Sequence, residues 1–260
     1  MEVQKMKFIS WNVNGLQNCI EKGDFEKTFK ELSADFLCIQ EVKSSKKIEF
    51  DCGEYKQFWN LARSKNGYSG TAIFTRRKPN KVYYGIQDEY GEDYDNEGRI
   101  LTLEYSDFFL VNCYVPNSKA SKNRLNYRLE FDEFFRNYID KLNSIKNVII
   151  CGDFNIAYKE IDICFDYRNN NDAVSFLQEE KIAFEELLDI GLIDTFRYYH
   201  PQQQKYTWWF HNEENRKNNI GWRLDYFLIS SELKKQIRKA DILNDIFGSD
   251  HCPIELILEV

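Results

Sequence analysis

The sequence contains few prolines, glycines and methionines. Its 260 residues include only 4 prolines, 12 glycines and 2 methionines, which excludes collagen-like and low-complexity proteins. No run approaches the roughly 18 consecutive apolar residues of a membrane-spanning helix. The first residues also lack the apolar core of a signal peptide. We therefore expect a protein without a membrane segment.

Cysteine and histidine usage excludes further classes. The seven cysteines are odd in number and no two form a Cys-x-x-Cys pair. Several lie inside apolar runs, where a thiol behaves as a small hydrophobic group. These features predict a reducing, cytoplasmic location. The three histidines, His200, His211 and His251, have no zinc-ligand spacing, which argues against a multi-histidine zinc enzyme.

Hydrophobic and aromatic residues are abundant, at 43% and 16% of the chain. A chain of this length can bury a large core, and no linker interrupts it, so we predict a single domain over residues 1–260. The net charge of −7 argues weakly against general affinity for nucleic acid. Basic stretches at 63–65, 76–78, 119–128 and 216–217 either form a local basic face or are scattered, solvated surface charges.

Short apolar runs rich in β-branched and aromatic residues predict buried strands. They lie at residues 8–12, 36–41, 109–115, 148–153 and 225–229.

Apolar residues at spacings near 3.6 predict helices over 124–142 and 173–190, and Gly191 is a typical stop for the second. A third helix is predicted from Ser230 or Ser231 to Ala240. Buried strands that alternate with amphipathic helices indicate an α/β protein whose sheets are covered by helices.

Acids and amides follow these strands or nearby turns. They are Asn12, Glu41, Asp153, Asn155 and Asp250, and His251 directly follows Asp250. Several oxygen ligands with few histidines indicate a hard cation, Mg²⁺ or Mn²⁺. Such an ion, with amide, hydroxyl or imidazole donors, suits phosphodiester hydrolysis, because charge grows on the phosphate oxygens. A carboxylate, or a histidine oriented by an aspartate, is the expected base.

Taken singly, these residues also have ordinary structural explanations. Asn12 and Asn155 suit turns, Tyr114 suits the core, and Asp225 could pair with Arg223. Their occurrence as an ordered set favours one catalytic site.

Eight segments occur together in the order of one known family. They are SWNVNGL (10–16), IQEVK (39–43), GYSG (67–70), EGR (97–99), YVPN (114–117), CGDFN (151–155), GWRLDYFL (221–228) and GSDHCP (248–253). On these segments the chain resembles the exonuclease III and abasic-site endonuclease family over nearly its whole length. The resemblance implies a DNase I-like, four-layer α/β sandwich, in which two packed, mainly antiparallel or mixed sheets are flanked by helices.

The resemblance also implies an activity. The expected reaction is Mg²⁺-dependent incision of double-stranded DNA 5′ to abasic sites, which leaves a 3′-hydroxyl, and Mn²⁺ is expected to substitute. A 3′→5′ exonuclease and 3′-end repair are expected companions, and we expect a monomer. Alternatives are another phosphoesterase of this fold, acting on RNA or inositol phosphates, or a catalytically idle nucleic-acid-binding module.

The family motifs imply a metal site. Glu41 would be the main ligand, assisted by Asn12, and Asp250 would serve a second or mobile metal position. Asp153 is implied as the acid/base residue and Asn155 as a stabiliser of the transition state, and both belong to the expected metal set.

Further roles follow from the same motifs. Tyr114 is implied to contact the scissile phosphate with support from Asn117, and Asp225 to pair with His251, which contacts the phosphate or its nucleophile. The sequence leaves open whether one or two metals act. It also leaves open whether Asp153 or the Asp225–His251 pair activates water.

The substrate contacts are implied in two groups. Trp208, Trp222 and Leu224 match the walls of a pocket for an extrahelical abasic sugar, and extruding a nucleotide costs least at damaged sites. Contacts to the rest of the DNA are expected from Lys119, Arg124, Tyr68 and Arg223. Lys119 is either a wedge into the base stack or a solvated lysine. Because phosphate contacts do not read sequence, we expect specificity for damage.

Two positions depart from the family pattern. Asn14 stands where some relatives have aspartate, so a carboxylate near the metal is missing. Ser175 replaces a glycine of the family, which puts the shape of that DNA-side loop in question.

Overall fold

Two six-stranded sheets face each other in the computed structural model of the chain, which describes residues 5–22, 25–86, 95–118, 122–164, 175–210 and 213–259. The strands are β1 (Lys5–Asn12), β2 (Phe36–Gln40), β3 (Lys56–Asn60), β4 (Thr71–Thr75), β5 (Lys81–Tyr84), β6 (Ile100–Glu104), β7 (Phe108–Tyr114), β8 (Asn147–Asp153), β9 (Leu192–Asp194), β10 (Asp225–Ser230), β11 (Ile237–Ile242) and β12 (Ile254–Glu259). The first sheet has the order β11-β12-β1-β2-β4-β3, and the second has the order β5-β6-β7-β8-β10-β9.

The described helices are α1 (Leu16–Glu21), α2 (Phe25–Leu32), α3 (Lys122–Ile145), α4 (Gln178–Asp189), α5 (Thr195–Tyr199) and α6 (Glu213–Lys217), with 3₁₀ segments at Glu160–Asp162 and Ser231–Gln236. None of the helices within the described ranges is long and apolar enough to cross a membrane.

Three apolar cores separate four layers. Alternate residues of a strand point to opposite faces of its sheet, so Phe8 of β1 packs between the sheets while Ile9 packs outward. The outer face of the first sheet is covered by α1 and α2, through residues such as Phe29. The outer face of the second is covered by α3 and α4, through Phe135 and Phe184. This arrangement confirms the predicted four-layer sandwich.

The predicted elements agree with the structure except at the start of α4 and near residue 237. All five predicted strands are present, and α3 contains the predicted helix 124–142. The helix predicted over 173–190 begins at Gln178, and residues 173–174 lie outside the described part of the chain. The helix predicted to reach Ala240 is wrong. A 3₁₀ segment ends at Gln236 and β11 follows, because Ile237, Ala240 and Ile242 are buried where β11 pairs with β12.

The sheets bring the ends of their central strands to one edge. β1 and β2 run parallel, as do β7 and β8, so polar residues that follow each pair emerge together. Gly152 allows β7 and β8 to approach there. A Cβ at Gly152 would lie 1.8 Å from the carbonyl oxygen of Cys113, and its φ of 147° is one that L-residues rarely adopt. Glycine is therefore required immediately before Asp153.

A buried polar clip joins the two sheets just behind this edge. Asn112 of β7 donates from Nδ2 to the carbonyl oxygens of Ile39 and Ala72 in the opposite sheet, at 3.0 and 2.9 Å. Gln40 donates from Nε2 to Asn112 Oδ1 at 2.7 Å and to Ser10 Oγ at 2.9 Å. Buried amides require such partners, so the clip admits one relative position of the sheets.

Candidate active site

Two carboxylates from different sheets face each other across one amide. Asn12, at the end of β1, is fully buried and donates from Nδ2 to Glu41 Oε1 at 3.0 Å and to Asp153 Oδ2 at 2.9 Å. Its own oxygen accepts the backbone N–H of Asn14 at 3.0 Å. In this conformation Asn12 links the carboxylates through its nitrogen, and its role as a metal ligand stays a prediction.

Glu41 sits on a backbone conformation that is uncommon for non-glycine residues. Glu41 and Lys43 have φ values of 53° and 51°. Backbone hydrogen bonds hold the segment, from Val42 N–H to Gly70 O at 3.0 Å and from Lys43 N–H to Ser69 O at 2.8 Å. Strained backbone that the surroundings fix in this way is common at functional sites.

The cluster has the composition of a cation site. One ligand atom from each of Glu41, Asp153 and His251 lies within 4.8 Å of the others, the one such group within the described residues. The Nζ of Lys43 already lies 2.7 Å from Glu41 Oε2, so a positive charge is accommodated at this carboxylate. Two carboxylates of this kind fit a hard divalent cation.

Asp225 and His251 form a buried pair beside Asp153. His251 Nδ1 lies 2.8 Å from Asp225 Oδ2, and Nε2 lies 3.8 Å from Asp153 Oδ2. Burial opposes charge on the imidazole, but Asp225 and then Asp153 raise the pKa of His251 to about 10. Burial raises the pKa of Asp153 to about 7, against the effect of His251. At neutral pH the imidazole is therefore a cation and both of its nitrogens are donors.

Tyr114, Asn117 and Asn155 lie at the ends of β7 and β8. Asn155 has a φ of 49° and donates from Nδ2 to the carbonyl oxygen of Val115 at 2.9 Å, while its oxygen accepts from Asn117 Nδ2 at 3.0 Å. The Asn155 backbone N–H donates to Asp153 Oδ1 at 2.9 Å. Asn155 thus orients Asp153, and its predicted metal contact stays a prediction. Burial, followed by the Glu41 carboxylate, holds the pKa of Tyr114 well above its usual range, so the phenol is a neutral donor.

Arg99 lies beside the site, and its motif did not predict a role for it. Its buried guanidinium lies over the Tyr114 ring at 4.6 Å and donates to the Tyr114 carbonyl oxygen at 2.9 Å. It pairs with Glu97 at 2.7 Å and contacts the hydroxyl of Tyr68 at 3.2 Å. The predicted DNA contact Arg124 reaches the same hydroxyl at 3.0 Å. Arg99 therefore ties Tyr114 to the Tyr68 and Arg124 surface.

The predicted pocket residues come together in a small apolar cluster. Trp222 and Leu224 are buried with Ala157 and Ile163, and half-buried Trp208 and Phe176 pack against them. The Trp208 and Trp222 rings meet edge to face at 5.8 Å. Neighbouring Trp209 is instead buried in the core between the sheets.

The loop that departs from the family pattern keeps a glycine-like backbone. Ser175 has a φ of 67° and its carbonyl oxygen accepts the N–H of Ala157 at 2.7 Å. Phe176 consequently still reaches the apolar cluster.

Two predicted DNA contacts need comment. Arg223 is fully buried, and its guanidinium contacts Asp162 at 2.7 and 3.0 Å and Asp194 at 2.7 Å. It therefore lies behind the pocket walls rather than on the surface, and its partner is not Asp225. Lys119 lies outside the described residues.

Asp250 lies beside the cluster, and its carboxylate accepts hydrogen bonds on both oxygens. Oδ1 accepts from Asn14 Nδ2 at 2.9 Å and from Ser249 Oγ at 3.2 Å. Oδ2 accepts from Trp208 Nε1 at 3.1 Å. Asn14, where some relatives have aspartate, thus donates a hydrogen bond to a carboxylate from its side-chain amide.

A cleft of about 1180 Å³ opens next to Asp250. Lys22, Lys205, Arg216 and Lys217 contribute to its walls. The basic stretch at 216–217 therefore flanks the site despite the acidic net charge.

Comparison with known proteins places this geometry in a family. The sequence matches the group described as Endonuclease/Exonuclease/phosphatase family over residues 9–251. It is 43% identical to an exodeoxyribonuclease of Bacillus subtilis, over 98% of this chain and 100% of that protein. It is 41% identical to the DNA repair nuclease APEX1 of Danio rerio, over 98% of this chain and 83% of that protein.

A solved structure is similar throughout. The AP endonuclease of Leishmania major superposes with a TM-score of 0.88 at 29% identity, over 99% of this chain and 88% of that chain. With a family match that runs from β1 to His251, the chain belongs to the endonuclease/exonuclease/phosphatase family, as a hydrolase of its exodeoxyribonuclease and abasic-site endonuclease branch.

Proposed function

We propose that this protein is a Mg²⁺-dependent DNA repair nuclease that incises duplex DNA 5′ to abasic sites and leaves a 3′-hydroxyl. The observation that carries the proposal is the position of the Glu41–Asn12–Asp153–His251 cluster beside an apolar pocket walled by Trp208 and Trp222. The Trp208 ring lies 6.4 Å from the His251 ring, so a sugar in the pocket would bring its phosphate near the cluster.

Glu41 is the proposed principal ligand of Mg²⁺, with Asp153 beside it and Asp250 at an outer position. Mn²⁺ is expected to substitute, because both are hard cations that prefer oxygen ligands. When bound, the divalent ion supplies stabilisation of negative charge on the phosphate oxygens. Asn12 keeps the two carboxylates at a fixed separation from opposite sheets.

Asp153 is the proposed base that activates water. It takes a proton from the water whose oxygen attacks phosphorus. The bond from phosphorus to the 3′ oxygen breaks, and the proton returns to that oxygen. His251 suits the other role. Asp225 and Asp153 raise its pKa to about 10, so its imidazolium can donate to a phosphate oxygen but has no free nitrogen to accept a proton.

Tyr114, Asn155 and Asn117 are proposed to stabilise charge that develops on the phosphate. Fixed donors aimed at that charge need no reorganisation during the reaction. Arg99 fixes the Tyr114 ring and backbone, while Asn117 and Val115 fix the Asn155 amide. These contacts indicate donors that are already in place before substrate binds.

The pocket is proposed to select a sugar without a base. Trp222→Ala should lower the preference for abasic over intact duplex by at least about 10-fold, because the variant loses the ring surface against which the sugar would pack. The ratio of kcat/KM for the two duplexes measures this preference. Trp59→Ala, which removes an indole from the outer core of the other sheet, is the control for general destabilisation. An unchanged ratio in Trp222→Ala would remove the pocket from the proposal.

Contacts to the DNA backbone are proposed on two sides of the site. Tyr68 and Arg124 form one side, and the basic walls of the cleft beside Asp250 form the other. Such contacts orient a duplex without reading its sequence. Lys119 is proposed to contribute from its loop, whereas Arg223 would act by holding the pocket strands from behind.

Companion properties belong to the same proposal. We include 3′→5′ exonuclease activity and repair of blocked 3′ ends, performed by a monomer in which residues 1–260 form one domain. A cytoplasmic location is proposed because the seven cysteines are buried thiols, as suits a reducing compartment.

The proposal is tested with a labelled duplex that carries one central abasic site. Incubation with Mg²⁺ should give a single nick 5′ to the lesion with a 3′-hydroxyl, and EDTA should abolish it. Gradual shortening of the product would reveal the exonuclease. Absence of a nick in both Mg²⁺ and Mn²⁺, from protein shown to be folded, would overturn the assignment. Phosphate release from inositol phosphates would then identify a different phosphoesterase.

A further inference from the structure

Trp208 belongs both to the apolar pocket and to the surroundings of Asp250. Its ring packs against Trp222, and its indole N–H donates to Asp250 Oδ2 at 3.1 Å. We propose that Trp208 is a positioning residue, whose N–H fixes the Asp250 carboxylate for cation binding while its ring contacts the abasic sugar. The inference deepens the proposed function and rests on its pocket and metal site.

Backbone hydrogen bonds fix the main chain that carries this indole. The backbone N–H of Trp208 donates to the carbonyl oxygen of Trp222, and the backbone N–H of Trp222 donates to the carbonyl oxygen of Trp208, both at 2.9 Å. Trp208 also forms a bridge with His251, and the N–H of Trp209 donates to the carbonyl oxygen of Asp250 at 3.1 Å. The main chain of Trp208 therefore lies between the pocket strand and the Asp250–His251 segment, and its side chain contacts Trp222 on one side and Asp250 on the other.

The hydrogen bonds at Asp250 give Trp208 a specific task. Asn14 and Ser249 donate to Oδ1, whereas Trp208 donates to Oδ2. Donors on opposite oxygens fix the rotation of the carboxylate plane. Loss of the indole N–H would remove one of the donors that fix this plane, so that the carboxylate would meet a cation less often in the productive orientation.

Coupling between pocket and metal site follows. A sugar packed on the Trp208 ring restrains the indole, and the restrained indole restrains Asp250. Because coupling between two binding sites is reciprocal, an abasic duplex should tighten cation binding by the factor by which the cation tightens binding of that duplex. Intact duplex, which does not fill the pocket, should produce a smaller effect.

The test uses Trp208→Phe, which keeps an aromatic ring and removes the N–H. The matched control is Trp209→Phe, because the adjacent Trp209 Nε1 is buried and has no hydrogen-bond partner among the described residues. Mn²⁺ binding is measured by electron paramagnetic resonance without DNA. Trp208→Phe should weaken binding by about 10-fold, the scale of one hydrogen bond to a charged acceptor. Trp209→Phe should stay within about twofold of wild type.

A double-mutant cycle locates the effect. Trp208→Phe should have no further effect on Mn²⁺ binding in an Asp250→Asn background, because its proposed action passes through that carboxylate. Wild-type Mn²⁺ affinity in Trp208→Phe, or an equal loss in both backgrounds, would overturn the inference. Trp208→Phe should also keep most of the preference for abasic duplex, which Trp208→Ala should lose.

A measurement on the wild type covers the case in which Trp208→Phe does not fold. The assigned indole N–H resonance of Trp208 should shift during a Mg²⁺ titration, and that of Trp209 should not. An unmoved Trp208 resonance at saturating Mg²⁺ would overturn the inference. These readouts need no turnover, so failure to nick abasic DNA would refute the proposed function while leaving the Trp208–Asp250 contact separately decided.

Discussion

Replacement of Asp153 by asparagine is expected to lower the single-turnover incision rate by about 10³-fold, within the range for loss of a positioned base. Asparagine has the same shape but accepts no proton. In the wild type, Asn12 Nδ2 lies 2.9 Å from the Asp153 carboxylate. The substitution can therefore place a second amide nitrogen opposite that of Asn12. Binding of abasic duplex should change by less than about threefold, because the backbone contacts are remote from this side chain. Rapid-quench kinetics and an equilibrium binding assay separate the two quantities.

The pH dependence supplies a second signature of the same group. Asp153 must be ionised to accept a proton, and burial raises its pKa to about 7. The wild-type rate should therefore fall as pH decreases through the pKa of this carboxyl, while the rate of Asp153→Asn should lack this limb. Asp35→Asn is the control for loss of a partly buried carboxylate, because Asp35 lies at the start of β2, at the end away from Glu41 and the site. An Asp153→Asn enzyme with the wild-type rate and the wild-type limb would assign the base elsewhere.

Replacement of Glu41 by glutamine should remove most Mg²⁺-dependent activity. We expect the Mg²⁺ concentration for half-maximal rate to rise by at least about 10-fold and the rate at saturation to fall by about 10²-fold, since a ligand charge and its orientation are both lost. Lys43, now 2.7 Å from this carboxylate, would also lose its ion pair. A Mg²⁺ titration of the incision rate, with Mn²⁺ binding measured in parallel, provides both numbers.

The exposed Glu54→Gln is the matched control, since it removes the same charge away from the cluster. Equal Mn²⁺ affinity in wild type and Glu41→Gln would contradict the ligand role. Equal affinity together with a lower rate would instead indicate that Glu41 orients Asn12.

Local pattern predicted the inner strands well because their residues are buried on both faces. β2 and β8 are almost continuously apolar, so no other element suits them. The pattern failed where burial depends on a distant partner. Residues 237–242 carry charges beside Ile237 and Ile242, and only pairing with β12 decides that they form a strand.

In the candidate site, the sequence predicted which residues come together but not how their side chains are oriented. Motif order alone brought Asn12, Glu41, Asp153 and His251 into one expected site, and the structure places them in contact or close to it. Orientation could not be predicted in this way. The direction of the Asn12 amide depends on two carboxylates and a backbone N–H from three separate segments.

Arg99 and Arg223 are two residues whose structural roles local sequence could not predict. Both were visible in quoted motifs, but a charged residue in a loop is usually solvated. Arg99 is buried because Glu97 and the Tyr114 carbonyl satisfy it, and Arg223 because Asp162 and Asp194 do. Such partners are set by the tertiary fold, so neither role can be deduced from the motif that contains the arginine.

The clip formed by Asn112, Gln40 and Ser10 gives the two sheets a fixed alignment that apolar packing alone would not enforce. Hydrophobic faces tolerate sliding, whereas an amide that donates to the Ile39 and Ala72 carbonyls loses both partners after a small displacement. Glu41 directly follows Gln40, and Asp153 stands on the strand beside β7. Contacts in the interior, and not the surface loops, thus set the distance between the two reactive carboxylates. The loops can therefore differ between related proteins without changing that distance.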